Sequence, residues 1–132
     1  MIAASLLLLA GLPTPAPAGG RGRGKEAAVQ LRFGVDMAQR GAWKEAQYRF
    51  ERAAAQAPGD AEILNNLAVA YENNGRYEDA EAAYEKALEV VPDNEKIRAN
   101  FERFRIFYLS HKEAMRRQEP GGESGDDGGQ DD

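Results

Sequence analysis

The chain has 132 residues, a formal net charge of −5 and no cysteine, which leaves room for one small domain with tails. The missing thiols exclude disulfides, thiol catalysis, thiolate metal sites and a lipidated cysteine, and the lone His111 excludes any site that needs two imidazoles. Acids outnumber bases thirteen to seven over Glu26–Asp93; a nucleic-acid partner would call for a basic face on the folded part, so none is expected.

The first predicted element is a leader. Ile2–Leu12 is an apolar run of eleven residues, followed by Pro13, Pro15 and Pro17 and by the triplet Ala16-Pro17-Ala18. An apolar stretch, a helix-breaking segment and an A-x-A cleavage site are the order of a secretory signal. Residues 1–18 therefore read as a signal peptide and 19–25 as a basic linker. The run is well below the ~20 residues that span a bilayer, so no stable span is expected once the leader is cleaved, and the expected location is periplasmic or secreted. Two features oppose export: no Lys or Arg precedes the run, and Arg21, Arg23 and Lys25 lie after the cut, where positive charge resists translocation. The alternatives are a cytoplasmic chain or one held by an uncleaved leader.

Four helices come next. Glu26–Gln39 carries Val29, Leu31, Phe33 and Met37 around small Gly34 and stops at Arg40-Gly41, because a glycine just past a helix end takes the left-handed conformation without steric cost. Trp43–Gln56 places Trp43, Ala46, Phe50 and Ala53 on one helical face, to be buried. Pro58-Gly59-Asp60 ends it, with Asp60 an N-cap for the third helix. Ile63, Leu64, Leu67, Ala68 and Tyr71 form the next face up to Asn74-Gly75; Tyr77, Ala80, Tyr84, Ala87 and Leu88 form the fourth, closed by Pro92-Asp93. The alanines let antiparallel helices approach, while Phe33, Phe50, Leu67 and Tyr84 are expected to fill the gaps beside them.

A fifth helix is predicted over Asn94–Met115, started by Asp93 or Asn94 and docking through Ile97, Phe101, Phe104, Tyr108 and Met115. Charged Glu102 stands where the earlier units have Gly34 and Ala68, and no glycine turn comes after it, so this reads as a capping helix over 94–117. Residues Ile106–Leu109 are apolar all round the helix, which normally means burial on every side. Ile106, Phe107 and Leu109 are therefore expected to meet a partner end-on, either a second copy or another protein. His111 is expected at the edge of the docked face in a structural role. The remainder, 118–132, is rich in Gly and Asp with no large apolar residue; it is expected to be disordered and solubilising, and its spacing matches no calcium loop.

Laying Ala27–Asp60 over Ala61–Asn94 pairs Ala27 with Ala61, Gly41 with Gly75, Ala46 with Ala80, Phe50 with Tyr84, Ala53 with Ala87 and Pro58 with Pro92. A 34-residue period of this kind marks a stacked-helix array. Through Leu64, Leu67-Ala68, Tyr71, Gly75, Tyr77, Ala80, Tyr84, Ala87 and Pro92, and in the first unit through Phe33-Gly34, Gly41, Trp43, Ala46, Phe50, Ala53 and Pro58, the chain resembles the tetratricopeptide repeat family. The implied fold is all-α, a helix-turn-helix solenoid of two repeats (27–60 and 61–94) plus the capping helix.

The resemblance also implies a function, protein–protein interaction through a concave groove lined by the first helix of each unit. By register its lining would be Leu31, Arg32, Val35, Asn65, Asn66, Val69, Asn73, Lys96, Asn100 and Arg103. Some relatives grip a C-terminal carboxylate there; Asn66 and Lys96 match that set, whereas Leu31, Val35 and Asn100 depart from it. The groove that remains suits a peptide or partner helix with apolar anchors and an acidic residue. The rival is a structural subunit that stacks end-on through Ile106, Phe107 and Leu109; a cytoplasmic adaptor is a third reading. No Ser/His/Asp set, phosphate-binding glycine loop or metal spacing is present, and Glu78-Asp79 belong to a solvent-facing surface. No catalytic, cofactor or metal site is expected.

Overall fold

A computed structural model describes residues 23–118. The chain forms α1 (Lys25–Gln39), α2 (Trp43–Gln56), α3 (Ala61–Asn73), α4 (Tyr77–Val90) and α5 (Glu95–Gln118), with no strand among the described residues. The leader, the start of the linker and the acidic tail lie outside the described residues. None of the described helices is long and apolar enough to cross a membrane.

Local chemistry sets the boundaries. Both α1 and α3 end in a glycine with positive φ, 75° at Gly41 and 73° at Gly75. That turn lets Ala42 N–H reach the Met37 carbonyl at 2.9 Å and Gly41 N–H reach Ala38 at 3.0 Å, and the second unit repeats the pair with Arg76 to Tyr71 and Gly75 to Glu72. These are the two bonds that satisfy carbonyls orphaned at a helix end. Asp60 caps α3, its Oδ1 accepting from Glu62 and Ile63 N–H at 3.0 and 3.1 Å. Of the two candidates for starting α5, Asn94 does so, accepting from Ile97 N–H at 3.0 Å.

Two apolar clusters hold the array. Ala27, Leu31, Ala46, Phe50 and Ala53 of the first hairpin enclose Ile63, Leu67 and Ala70 of α3. Leu64 and Ala68, on the adjoining face of α3, join Ala80, Tyr84 and Ala87 of α4 and Ile97, Phe104 and Tyr108 of α5. One helix thus closes one unit and opens the next, which is how a solenoid propagates. Close approach depends on small residues: a Cβ at Gly34 would overlap the ring of Phe50.

The structure corrects three sequence expectations. Phe33 does not fill a gap; it is 44% exposed. It occupies the register of Leu67, which packs on the preceding hairpin, and among the described residues no helix precedes α1. Instead the guanidinium groups of Arg32 and Arg49 lie over its ring at 5.7 and 5.4 Å. Met115 does not dock, because the last turns of α5 overhang the body, and it is exposed. Trp43 is half-buried rather than buried, because its indole lines a cleft on the concave side.

Candidate protein-interaction groove

The first helices α1, α3 and α5 lie side by side, and among the described residues two clefts open between them. The larger, about 310 Å³, lies between α1 and α3: Val35, Ala38 and Gln39 form one side, Asn66 and Val69 the other, and Trp43 and Phe50 of α2 the floor. The second, about 290 Å³, lies between the start of α3 and the start of α5, with Asn65, Val91, Lys96 and Ile97 among its walls. Val35, Asn66 and Val69 thus come together in one cleft, and Asn65 and Lys96 in the other.

Two of the register-derived groove residues are not free to anchor a ligand. Leu31 is 6% exposed and belongs to the first apolar cluster. Asn65 is 5% exposed, and its Oδ1 accepts from Asn100 Nδ2 at 3.1 Å. These positions face the neighbouring first helix, so their side chains join helix to helix, and Asn100 is engaged with Asn65 for the same reason. Asn73 is turned back on its own helix, donating to the Val69 carbonyl at 2.8 Å. Arg32, Lys96 and Arg103 are exposed. Among the described residues Asn66 makes no side-chain hydrogen bond, which leaves its amide open to the cleft.

The cleft is held by a polar network at the junction of the units. Asn74 Nδ2 donates to the Trp43 carbonyl at 3.0 Å and to Gln47 Oε1 at 2.8 Å, fixing the α3–α4 turn against α2. Tyr71 donates to Glu51 Oε1 at 3.0 Å, and Arg76 lies over the Tyr71 ring at 4.6 Å. Burial, and then the Glu51 carboxylate, push the Tyr71 phenol up to about 12, so it remains a donor at physiological pH.

Two arrangements leave no signal in the local sequence pattern. Arg23, in what reads as a linker, donates from Nε and Nη2 to the two carboxylate oxygens of Asp60 at 2.7 and 3.0 Å, and from Nη2 to Glu62 at 2.7 Å. Burial raises the Asp60 carboxyl, but the Arg23 bond and the two α3 amides outweigh it and hold the group below its usual range. The second is Trp43 as groove wall. Its i, i+3, i+7 spacing puts it on the buried face, and spacing alone does not distinguish a core position from a lining one.

The comparison that bears on family comes from the second unit. A family model described as a tetratricopeptide repeat matches residues 61–94, the span from the first residue of α3 to the Asn94 cap of α5. Residues 61–94 are a tetratricopeptide repeat. No curated protein matches the chain. The matched repeat carries the same turn chemistry as the hairpin before it, so α1–α2 is the preceding unit by geometry as well as by period. A repeat of this kind supports a protein–protein interaction module in general, and the proteins that carry it are typically non-enzymatic.

The end-on residues expected on α5 divide between two faces. Ile106 is 73% and Leu109 60% exposed, both on the face turned away from α4. Phe107 sits at the edge, its ring 5.4 Å from that of Tyr77. His111 shares that contact at 5.0 Å and is half-buried.

Proposed function

We propose that the protein is a non-enzymatic scaffold that takes an extended peptide or a partner helix into its concave groove. The observation that carries this reading is the cleft between α1 and α3, where apolar Val35 and Val69 flank the uncommitted amide of Asn66 above the Trp43 floor. Such a cleft accepts one bulky apolar side chain, the Asn66 amide bonds the ligand backbone beside it, and Lys96 and Arg103 favour an acidic residue further along. Pockets for single anchors along a rigid helical surface are a general mode of peptide recognition. We place the assembly outside the cytoplasm, on the order of segments in residues 1–18.

The test is capture of the native partner by the full chain and three variants. Val69→Glu places a charge in the cleft and should weaken binding by about 10- to 100-fold, the loss of one buried apolar anchor. Asn66→Ala should weaken it less, and Lys86→Ala, on the exposed side of α4, should not change it. Equal capture by Val69→Glu would contradict groove binding. Export is read separately from the intact mass of the protein purified from its host. A chain starting at Gly19 supports it, and one retaining Met1 refutes it.

A further inference from the structure

The outward face of α5 is unlike that of α3 at the same registers. Where α3 has Leu64, Ala68 and Tyr71, α5 has Arg98, Glu102 and Arg105, so this face is not built to receive another helix of an ordinary repeat. It is not a plain solvated face either. Glu102, Ile106, Leu109, Glu113 and Arg116 succeed one another at spacings of four and three residues, all exposed, and such a row is a single seam along a helix. The two aliphatic residues at its middle are among the most exposed apolar groups of the described chain. Among the described residues Glu102, Arg105 and Arg116 have no carboxylate or cationic partner, while Glu113 is bonded to Arg117 by one oxygen.

The order of charges along this seam selects its occupant. We infer that the face pairs with the same face of a second copy, α5 against α5, antiparallel and centred on Leu109. In that register Leu109 meets its own counterpart, Glu102 lies opposite Arg116 of the second copy and Arg105 opposite Glu113, and two-fold symmetry makes each pair twice. Other alignments are opposed by the same charges. A parallel pairing sets every charge against its like. An antiparallel pairing with Ile106 opposite Leu109 sets Glu102 against Glu113 and Arg98 against Arg117. Of these three alignments the Leu109-centred one sets Leu109 against its counterpart and matches both ion pairs, with Ile106 level with the aliphatic stem of Lys112 of the second copy.

A contact one helix wide and about 22 Å long, from 15 residues at 1.5 Å each, is small beside a permanent interface, so the pairing is weak and concentration-dependent. It leaves α1, α3 and their cleft uncovered.

Sedimentation equilibrium of the full chain, over a hundredfold concentration range reaching about 1 mM, tests it. The wild type should pass from monomer to dimer, and Leu109→Lys should stay monomeric with unchanged helicity. Glu102→Arg and Arg116→Glu should each weaken the dimer about tenfold or more. The double variant should recover to within about threefold of wild type, because these residues are 14 positions apart and meet only between copies. A wild type that remains monomeric throughout overturns the inference and leaves the face to a different protein. So does a dimer indifferent to Leu109, or a double variant no better than its parents.

Discussion

At the scale of single residues, Asp60 carries the clearest consequence. It caps α3 and binds Arg23, so one side chain joins the start of the first unit to the start of the second. Replacing it with Ala should cost about 1–2 kcal/mol, the range of a lost N-cap, measured by urea unfolding at neutral pH. Because its folded pKa is depressed, this contribution is fully present above the unfolded value near 4 and is lost as pH falls through the folded value. The gap between wild type and Asp60→Asn should therefore close in acid. A gap that persists at about pH 2 would show that the carboxylate charge is not what matters. Gly34 is the second such residue. A Val there overlaps the buried ring of Phe50 and should lower stability by about 2 kcal/mol. The cap was legible in the sequence, since Asp before an apolar helical face is a local signal. The Arg23 clamp was not, because a contact across 37 residues leaves no local trace in the chain.

At the scale of elements, α5 shows both what spacing reveals and where it stops. Ile97, Phe104 and Tyr108 are buried as their helical spacing requires. Met115 shares that face but is exposed, because a periodicity records direction and not where the neighbouring helix ends. The same limit explains Phe33, which has the right residue type for a core position and no helix to face. Trp43 of α2 and Leu31 of α1 exchanged roles for a related reason: lining and core positions on a helix differ by a fraction of a turn. Tyr77 is the fastener of the overhanging half, its ring 5.0–6.5 Å from those of Phe104, Phe107, Tyr108 and His111. Aromatic pairs contribute about 0.5–1.5 kcal/mol each, so Tyr77→Ala should raise amide hydrogen exchange in residues 104–118 well before α1–α3. Uniform acceleration through all five helices would contradict that local role.

At the scale of the molecule, α3 makes the two units one folding body. Ile63 faces the first cluster and Leu64, its neighbour in sequence, faces the second. Ile63→Ala and Leu64→Ala should each cost about 2–4 kcal/mol and shift the same transition, whether monitored by far-ultraviolet circular dichroism or by fluorescence of Trp43, the single tryptophan. Separate midpoints for the two probes would mean that the hairpins unfold independently. The repeat fold was readable at this scale because the 34-residue period is redundant: turn glycines, small residues and aromatics each state it twice. The groove was readable in outline only, since which of its residues face a ligand depends on the rotation of each helix against its neighbour. Binding in that groove is the central claim, and site-specific photo-crosslinking in the native host tests it most directly. A photoreactive residue at Val69 should capture a partner species, the yield should fall when Asn66 is changed to Ala, and the same probe at Lys86 should capture none of it. Capture at Lys86 with none at Val69 would place the partner on the opposite surface and contradict the groove as the binding site.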